Sequence, residues 1–357
     1  MAVLGHRGIP PHYGGFDSVA WNLAKHLPQR GFQLYIFSER SYRSSKPSIP
    51  GVRLVYLPVL ERMRILSEVV YDILGLTWCS FRPDVKVVYL LGYSAAPFCI
   101  IPRIFGKKVV VNVDGLEWKR RKFGPVIRQM LHVLERLTHY VSDYLVFDSR
   151  EIQAFHEREY GGHASLFLPQ CISEYDFATE TSNYYLAVAR FEPENNLNMI
   201  IEGFQRSGSK NELWLVGTSS NRKYNNELKT LARVPQVRFL GPIYGEKLGQ
   251  LRRKCFAYVH GHEVGGTNPS LLEALSYGNP VLAMDVPFNR EVAGSAGLYF
   301  RNAETLAKLV DLLEANPGLR EKMRITAFEN AHNYDRDKIM GDYERAFRSM
   351  GRELITD

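Results

Sequence analysis

Cysteine is scarce. Cys79, Cys99, Cys171 and Cys255 are the four in 357 residues, and none pairs as CxxC. That scatter excludes a disulfide-stapled scaffold and a structural zinc module, and it fits a reducing compartment. Metal-ligand patterns are as thin. His260 and His262 form the only HxH pair, with no Cys or His close in sequence to complete a set. Long apolar runs are missing too. The longest uncharged stretch, Val87 to Pro102, is interrupted by Gly92, Ser94 and Pro97. It falls short of the ~20 apolar residues that span a bilayer, and reads as a buried strand, a loop and a helix. Met1 to Arg7 is too short an apolar run for a secretory leader and reads as a first strand.

What is present is a soluble, globular composition, 45% hydrophobic and 23% charged, in a length comfortable for two domains. The net charge of +7 is uneven. Residues 1–165 hold 22 Lys and Arg against 14 Asp and Glu, and the remainder 23 against 24. A basic first half suits nucleic acid, an anionic membrane surface or a phosphorylated substrate.

β-branched and apolar runs at Val3-Leu4, Gln33–Phe37, Val52–Leu57, Val85–Leu90, Lys108–Val113 and Leu145–Phe147 read as buried parallel strands. Helical spacing follows Gly14-Gly15 and runs from Arg62 to Leu76. The alternation predicts a doubly wound sheet, with its ligand crevice beyond the strands' carboxyl ends. Several chemistry-bearing residues stand at such ends. Arg7, Gly14, Gly15 and Asp17 belong to the first loop and helix start. There the glycines would let a ligand approach the backbone, and the acid caps or opens the helix. Asp114 follows the run Val111-Asn112-Val113 and is open to three readings: general base, sugar-hydroxyl ligand or helix cap. Lys119-Arg120-Arg121-Lys122 stands between Trp118 and Phe123, a mix that suits a membrane interface as well as a solvated face.

Polar residues from Glu174 to Asn183 read as a connection to a second domain. That domain opens with a strand at Tyr185–Ala189, then Arg190, Asn195 and a helix from Leu197 to Phe204. Further strands are expected at Leu213–Val216, Val237–Leu240 and Ala257–His260. The last runs into the stretch HGHEVGGTNPSLLEALSYGNPVLAMD, residues 260–285. Gly265 and Gly266 open a tight turn there, Thr267 or Asn268 can cap a helix, and Pro269 suits its first position. A glycine turn feeding a helix N-terminus is an anion site, because free N–H groups and the helix dipole converge on one spot. Glu273, one turn in, could accept from paired hydroxyls such as those of a ribose.

This stretch resembles the donor-binding motif of retaining glycosyltransferases of family 4, and its GGTNPSLLEA form a bacterial rhamnosyltransferase-like subgroup of capsule and exopolysaccharide synthesis. The resemblance implies an α/β, GT-B architecture. It consists of two facing Rossmann-like domains with parallel sheets and a C-terminal helix crossing back to the first domain. An acceptor domain is expected over residues 1–168 with helix 338–357, and a donor domain over 169–337. The family motif carries two glutamates seven residues apart. Glu273 matches the second; Gly265 occupies the place of the first, with Glu263 as a candidate substitute. Arg190 matches a family arginine near the donor diphosphate, while Asn195 stands where a lysine is usual. Asp335-Arg336-Asp337 matches the acid-x-acid metal motif of GT-A enzymes only superficially and reads as a helix start.

The resemblance implies a metal-independent enzyme without cofactor. It would move a sugar, first choice rhamnose from dTDP-rhamnose, onto a glycan or polyprenyl-diphosphate-linked saccharide. Asp114, Arg190 and Glu263 are its catalytic candidates. Donor binding falls to Gly14, Gly15, Arg190, Asn195, Gly265, Gly266, Thr267, Asn268 and Glu273. Arg7, Asp17 and Lys119 to Lys122 are assigned to the acceptor and membrane. The expected place is the cytoplasm, peripheral at the inner face of the cell membrane, with no nucleic-acid partner. A UDP-sugar transferase, a nucleotide-sugar epimerase of similar fold and a non-catalytic nucleotide-sugar-binding protein remain open.

Overall fold

The computed structural model describes residues 1–11, 14–45, 47–58, 64–172, 174–177, 180–219 and 221–356. Lys46 and the helix start expected at Arg62 lie outside them, as do Ala178 and Thr179 of the polar connection. The chain divides into two compact units. One comprises Met1–Trp118, Pro125–Gln170 and Asp337–Asp357; the other comprises Lys119–Gly124 and Cys171–Arg336.

In chain order the first unit holds β1 (Ala2–Leu4), α1 (Gly15–His26), β2 (Leu34–Glu39), β3 (Val52–Leu57), α2 (Arg64–Ser80) and β4 (Val87–Leu91). Then come α3 (Ile100–Ile104), β5 (Lys108–Asn112), α4 (Pro125–Val141), β6 (Tyr144–Phe147), α5 (Arg150–Tyr160) and β7 (Ser165–Phe167). The sheet runs β3-β2-β1-β4-β5-β6-β7, with every pairing parallel. Val3 stands between Ile36 and Tyr89 in register. Helices cover both faces of such a sheet, so its inner strands are apolar on both sides, as the fully buried Ala2, Val3 and Leu4 show. The strand order reverses between β1 and β4. There Gly5 has φ +83°, and a Cβ on it would lie 2.0 Å from the Leu91 carbonyl oxygen, so only glycine fits.

The second unit follows the same plan: β8 (Tyr184–Val188), α6 (Leu197–Arg206), β9 (Glu212–Val216), α7 (Arg222–Leu231), β10 (Val237–Gly241), α8 (Gly245–Lys254) and β11 (Ala257–His260). It continues with α9 (Pro269–Ser276), β12 (Val281–Met284), α10 (Pro287–Ala293), β13 (Gly297–Phe300), α11 (Ala303–Ala315), α12 (Pro317–Ala331) and the start of α13 (Arg336–Thr356). Its sheet is β10-β9-β8-β11-β12-β13, also parallel throughout. Both sheets therefore have the doubly wound order of a dinucleotide-binding fold, with switch points at β1/β4 and β8/β11.

The sequence predicts no strand near Leu166 or Gly297, yet the structure places β7 and β13 there, each at one edge of its sheet. Both are short and, apart from buried Phe300, half exposed, so their apolar periodicity is too brief to read. From Asp337 onward α13 belongs to the first unit. Tyr343 and Phe347 set their rings 6.2 and 5.3 Å from that of Tyr89, and Arg30 pairs with Glu344 at 3.2 Å. Asp337 sits in the first turn of that helix, 4.0 Å from Arg30.

Candidate functional site

The switch point of the second unit brings two loops together. One leaves β8 at Arg190 and winds through a turn at Pro193–Asn195 into α6. The other leaves β11 at Gly261 and reaches α9 through Gly265 and Gly266. The backbone N–H of Glu263 donates to the Glu194 carbonyl at 3.0 Å. Asn196, held in the left-handed region at φ 50°, donates from Nδ2 to the Gly261 carbonyl at 3.0 Å and to Glu263 Oε2 at 3.1 Å. Gly261 is indispensable to this seam: a Cβ there would meet the Asn195 carbonyl oxygen at 2.2 Å. The two loops thus form one rigid rim.

On that rim the α9 N-terminus is built much as its sequence foretold. Of the two cap candidates, Asn268 takes the role, its Oδ1 accepting from the Ser270 N–H at 2.9 Å, with Pro269 at the first helical position. Thr267 is buried beside it. Gly265 has φ +145° and open space around its Cβ position, so backbone amides there can meet a ligand. Arg190 is exposed at the end of the adjacent strand. Asn195, buried, is spent within its own loop: its Nδ2 donates to the Arg190 carbonyl at 2.6 Å, which fixes that residue's place.

Glu263 is also engaged, through Asn196 and through Arg121 at 2.9 Å. Arg120 lies 3.6 Å from Glu194, whose side chain is 1% exposed. Both arginines come from Lys119–Gly124, which the structure groups with the second unit. This differs from the reading of Lys119 to Lys122 as a basic patch of the first domain. Two of its four cations answer buried or half-buried acids of the β8 and β11 loops, and Lys122 lies over the Phe123 ring. A sequence run shows the charges but not the acids folded against them.

Behind the rim, burial depresses the imidazoles. His260 is fully buried, its pKa pushed down to about 3 by desolvation. It stacks on His262 with ring centroids 4.3 Å apart. His262 is lowered too, by burial first and then by His260, Arg120 and Arg190. The imidazoles are neutral, and Arg120 and Arg121 answer Glu194 and Glu263, which leaves exposed Arg190 to meet an anionic ligand at this end of the sheet. His262 and Arg120 escaped the sequence reading as members of one cluster, because only the fold brings their charges into range.

Glu273 is half exposed on α9, and its Oε2 lies 2.5 Å from Nη2 of Arg252, whose side chain is 6% exposed. The pair leaves Glu273 Oε1 as the acceptor that can face a ligand. Among the described residues there is no group of three or more His, Cys, Asp or Glu able to hold a metal.

In the first unit, Gly14 is the N-cap position of α1 and Gly15 its first residue; Tyr13 lies outside the described residues. Asp17 stands in the first turn, buried, its Oδ1 accepting the Arg7 backbone N–H at 3.0 Å. It fastens the β1 loop to α1. Arg7 pairs with Glu68 at 2.8 Å. Asp114 follows β5 at φ 57°, a strained place for a residue with a Cβ, and its N–H donates to Asn112 Oδ1 at 2.9 Å. The next turn begins at Glu117, three residues on.

Residues 174–330 match the family of glycosyl transferases group 1, and residues 1–171 match a domain of unknown function, DUF1972. Among solved structures, the chain is similar to sucrose-phosphate synthase from Thermosynechococcus elongatus, with a TM-score of 0.86 at 14% identity, covering 99% of each chain. It is similar to HepE from Anabaena in complex with UDP-glucose, with a TM-score of 0.76 at 14% identity over 98% of this chain and 99% of that one. A glycosyltransferase from Rickettsia africae gives a TM-score of 0.69 at 11% identity, over 100% and 99%.

Proposed function

We propose that this GT-B glycosyltransferase, whose second unit carries a glycosyl transferases group 1 domain, moves a sugar from a nucleoside diphosphate donor to a hydroxyl of a glycan or lipid-linked saccharide. The observation that carries the reading is the fused rim at β8/β11, where exposed Arg190 and the amides leading into α9 stand at adjacent strand ends. A diphosphate suits that spot. Arg190 offers a fork to its oxygens, and the α9 N-terminus stabilises the negative charge that grows as the bond to the sugar breaks. Glu273 would accept from the ribose hydroxyls. At the anomeric carbon the bond to the acceptor oxygen forms while the bond to the phosphate oxygen breaks. The electron pair leaves with the nucleotide, and the acceptor hydroxyl's proton passes to the departing diphosphate. The family resemblance implies net retention of configuration.

Asp114, Arg7 and Asp17 are assigned to the acceptor side on the first unit, the latter two through shaping the β1 loop. Glu263, with both carboxylate oxygens engaged by Arg121 and Asn196, acts by positioning the rim. Two donors compete for first place. dTDP-rhamnose is favoured by the GGTN motif's resemblance, and UDP-glucose by the similar HepE, whose complex holds it.

Nucleotide release from a panel including both donors, with and without saccharide acceptors, tests the reading. Acceptor-dependent release of one nucleotide is expected. Release without acceptor together with an epimerised sugar would make the protein an epimerase. Tight nucleotide-sugar binding without release across the panel would leave a binding protein.

A further inference from the structure

Helix α4 carries a stripe that its own unit does not cover. Val126, Met130, Val133 and Tyr140 are all exposed, Val126 by 81%. Their spacing of four, three and seven puts them along one face of a helix, with half-buried Leu137 filling the gap. The stripe is not isolated. Arg103 of α3 donates to the Tyr140 carbonyl at 2.9 Å, which ties the end of α4 to α3. On α3 Ile104 is 75% exposed and is followed by exposed Phe105, whose ring meets that of exposed Phe81 at 4.9 Å. Scattered exposed apolar residues are ordinary; this many large ones on two joined helices mark a surface that expects a partner.

The charge on these elements says which partner. From 98 to 108 the chain has Arg103, Lys107 and Lys108 and no acid; Arg103 pairs with Asp143, just past α4, at 3.3 Å, and exposed Lys86 is close enough to Lys107 to repel its charge. From 125 to 141 it has Arg136 beside the stripe and Arg128 on the far side, donating to the Trp118 carbonyl at 2.7 Å, and its one acid, Glu135, is fully buried. Glu135 is consumed inside, accepting from Trp118 Nε1 at 3.2 Å and the Tyr160 hydroxyl at 2.9 Å. With Asp143 paired and Glu135 buried, the balance of charge beside this apolar surface, from Lys86, Lys107, Lys108 and Arg136, is positive, which is complementary to lipid with anionic headgroups: the side chains enter the acyl boundary and the cations meet the phosphates.

We propose that the α3–α4 face of the first unit docks on an anionic lipid surface. The proposal rests on the reading that the acceptor is lipid-linked, and it moves the membrane contact away from Lys119–Lys122, two of whose cations answer acids of the second unit.

The test is flotation of the full chain with phosphatidylcholine vesicles, with and without phosphatidylglycerol, in the absence of any sugar donor. Binding is expected only with phosphatidylglycerol, and high salt should weaken it at least about tenfold. Lys86→Gln with Arg136→Gln should lower partition by roughly tenfold or more. Ile104→Ser with Val126→Ser should do the same at low salt, since both residues insert rather than attract. All four positions are outside the nucleotide rim, so both double variants should keep the wild-type thermal midpoint and UDP response. Failure to float with anionic vesicles overturns the proposal, as does equal flotation of either double variant. A lipid-free dimer of the wild type that these variants dissolve would assign the face to a second copy instead. Acceptor-dependent sugar transfer is scored separately. Transfer without flotation removes the docking face and leaves the enzymatic reading; flotation without nucleotide release on any donor does the reverse.

Discussion

Replacing Glu273 by alanine should have two effects, and the structure separates them. Its carboxylate lies 2.5 Å from the guanidinium of Arg252, which is nearly buried and whose Nε has no hydrogen-bond partner. A half-exposed carboxylate by itself would be removable without harm to the fold; the buried arginine behind it argues otherwise. Stripping one partner from a fully buried pair costs about 3–5 kcal/mol. Water reaches the Glu273 side, so the cost falls to roughly 1.5–3 kcal/mol, the worth of a hydrogen bond to a charged group. For a unit of this size that lowers the thermal midpoint by about 3–12 °C. Glu273→Gln keeps an acceptor oxygen against Arg252 and should lose less than half as much. If Glu273 also accepts from the ribose, alanine weakens nucleotide binding by a further tenfold to hundredfold, roughly. Differential scanning calorimetry reads the first effect, and isothermal titration with UDP or dTDP on folded variant reads the second. An unchanged midpoint refutes the ion-pair argument. An unchanged affinity with a lowered midpoint leaves Glu273 a support for Arg252 and removes it from the ribose.

The buried histidines make the protein acid-sensitive. His6, His156 and His260 are each held down near pKa 3 by burial, so they are neutral in the fold but take up protons in the unfolded chain below about 6.5. Their contribution is complete above pH 6.5 and is lost as pH falls, at about 1.4 kcal/mol per pH unit for each. A thermal midpoint that stays flat from pH 7 to 4.5 would contradict this. Asp72 has the opposite sign: burial first, then Glu68, raises it to about 8, so its contribution is present below about pH 4 and lost as pH rises to 8. Asp72→Asn should therefore raise the midpoint at pH 8 more than at pH 5, and a uniform change would refute the assignment. Gly261→Ala should drive a methyl into the Asn195 carbonyl and cost about 1–3 kcal/mol, read as a lower urea midpoint. Sugar transfer should persist in excess EDTA; loss restored by magnesium or manganese would point to a metal the rim does not foresee.

Local chemistry was legible in the chain itself. A glycine pair, an Asn cap and Pro269 specify the entry to α9 wherever that segment is placed, because capping and φ preferences act over a few residues. Runs such as Val85–Leu90 and Lys108–Val113 declare buried parallel strands, because a strand covered on both faces must be apolar on both. Alternation of strand and helix then leaves little choice but a doubly wound sheet. Edge strands β7 and β13 stayed hidden because three or four residues, mostly half exposed, carry no period. Pairings across the sequence were beyond reach for a different reason. Glu263 held by Asn196, Arg252 under Glu273, and Arg120 against Glu194 join residues tens of positions apart. Coulombic attraction and hydrogen bonding act over a few ångströms of space, and only the folded chain decides which charges come that close. The basic run at Lys119–Lys122 shows the consequence: four cations in a row read as surface until the acids folded against two of them come into view.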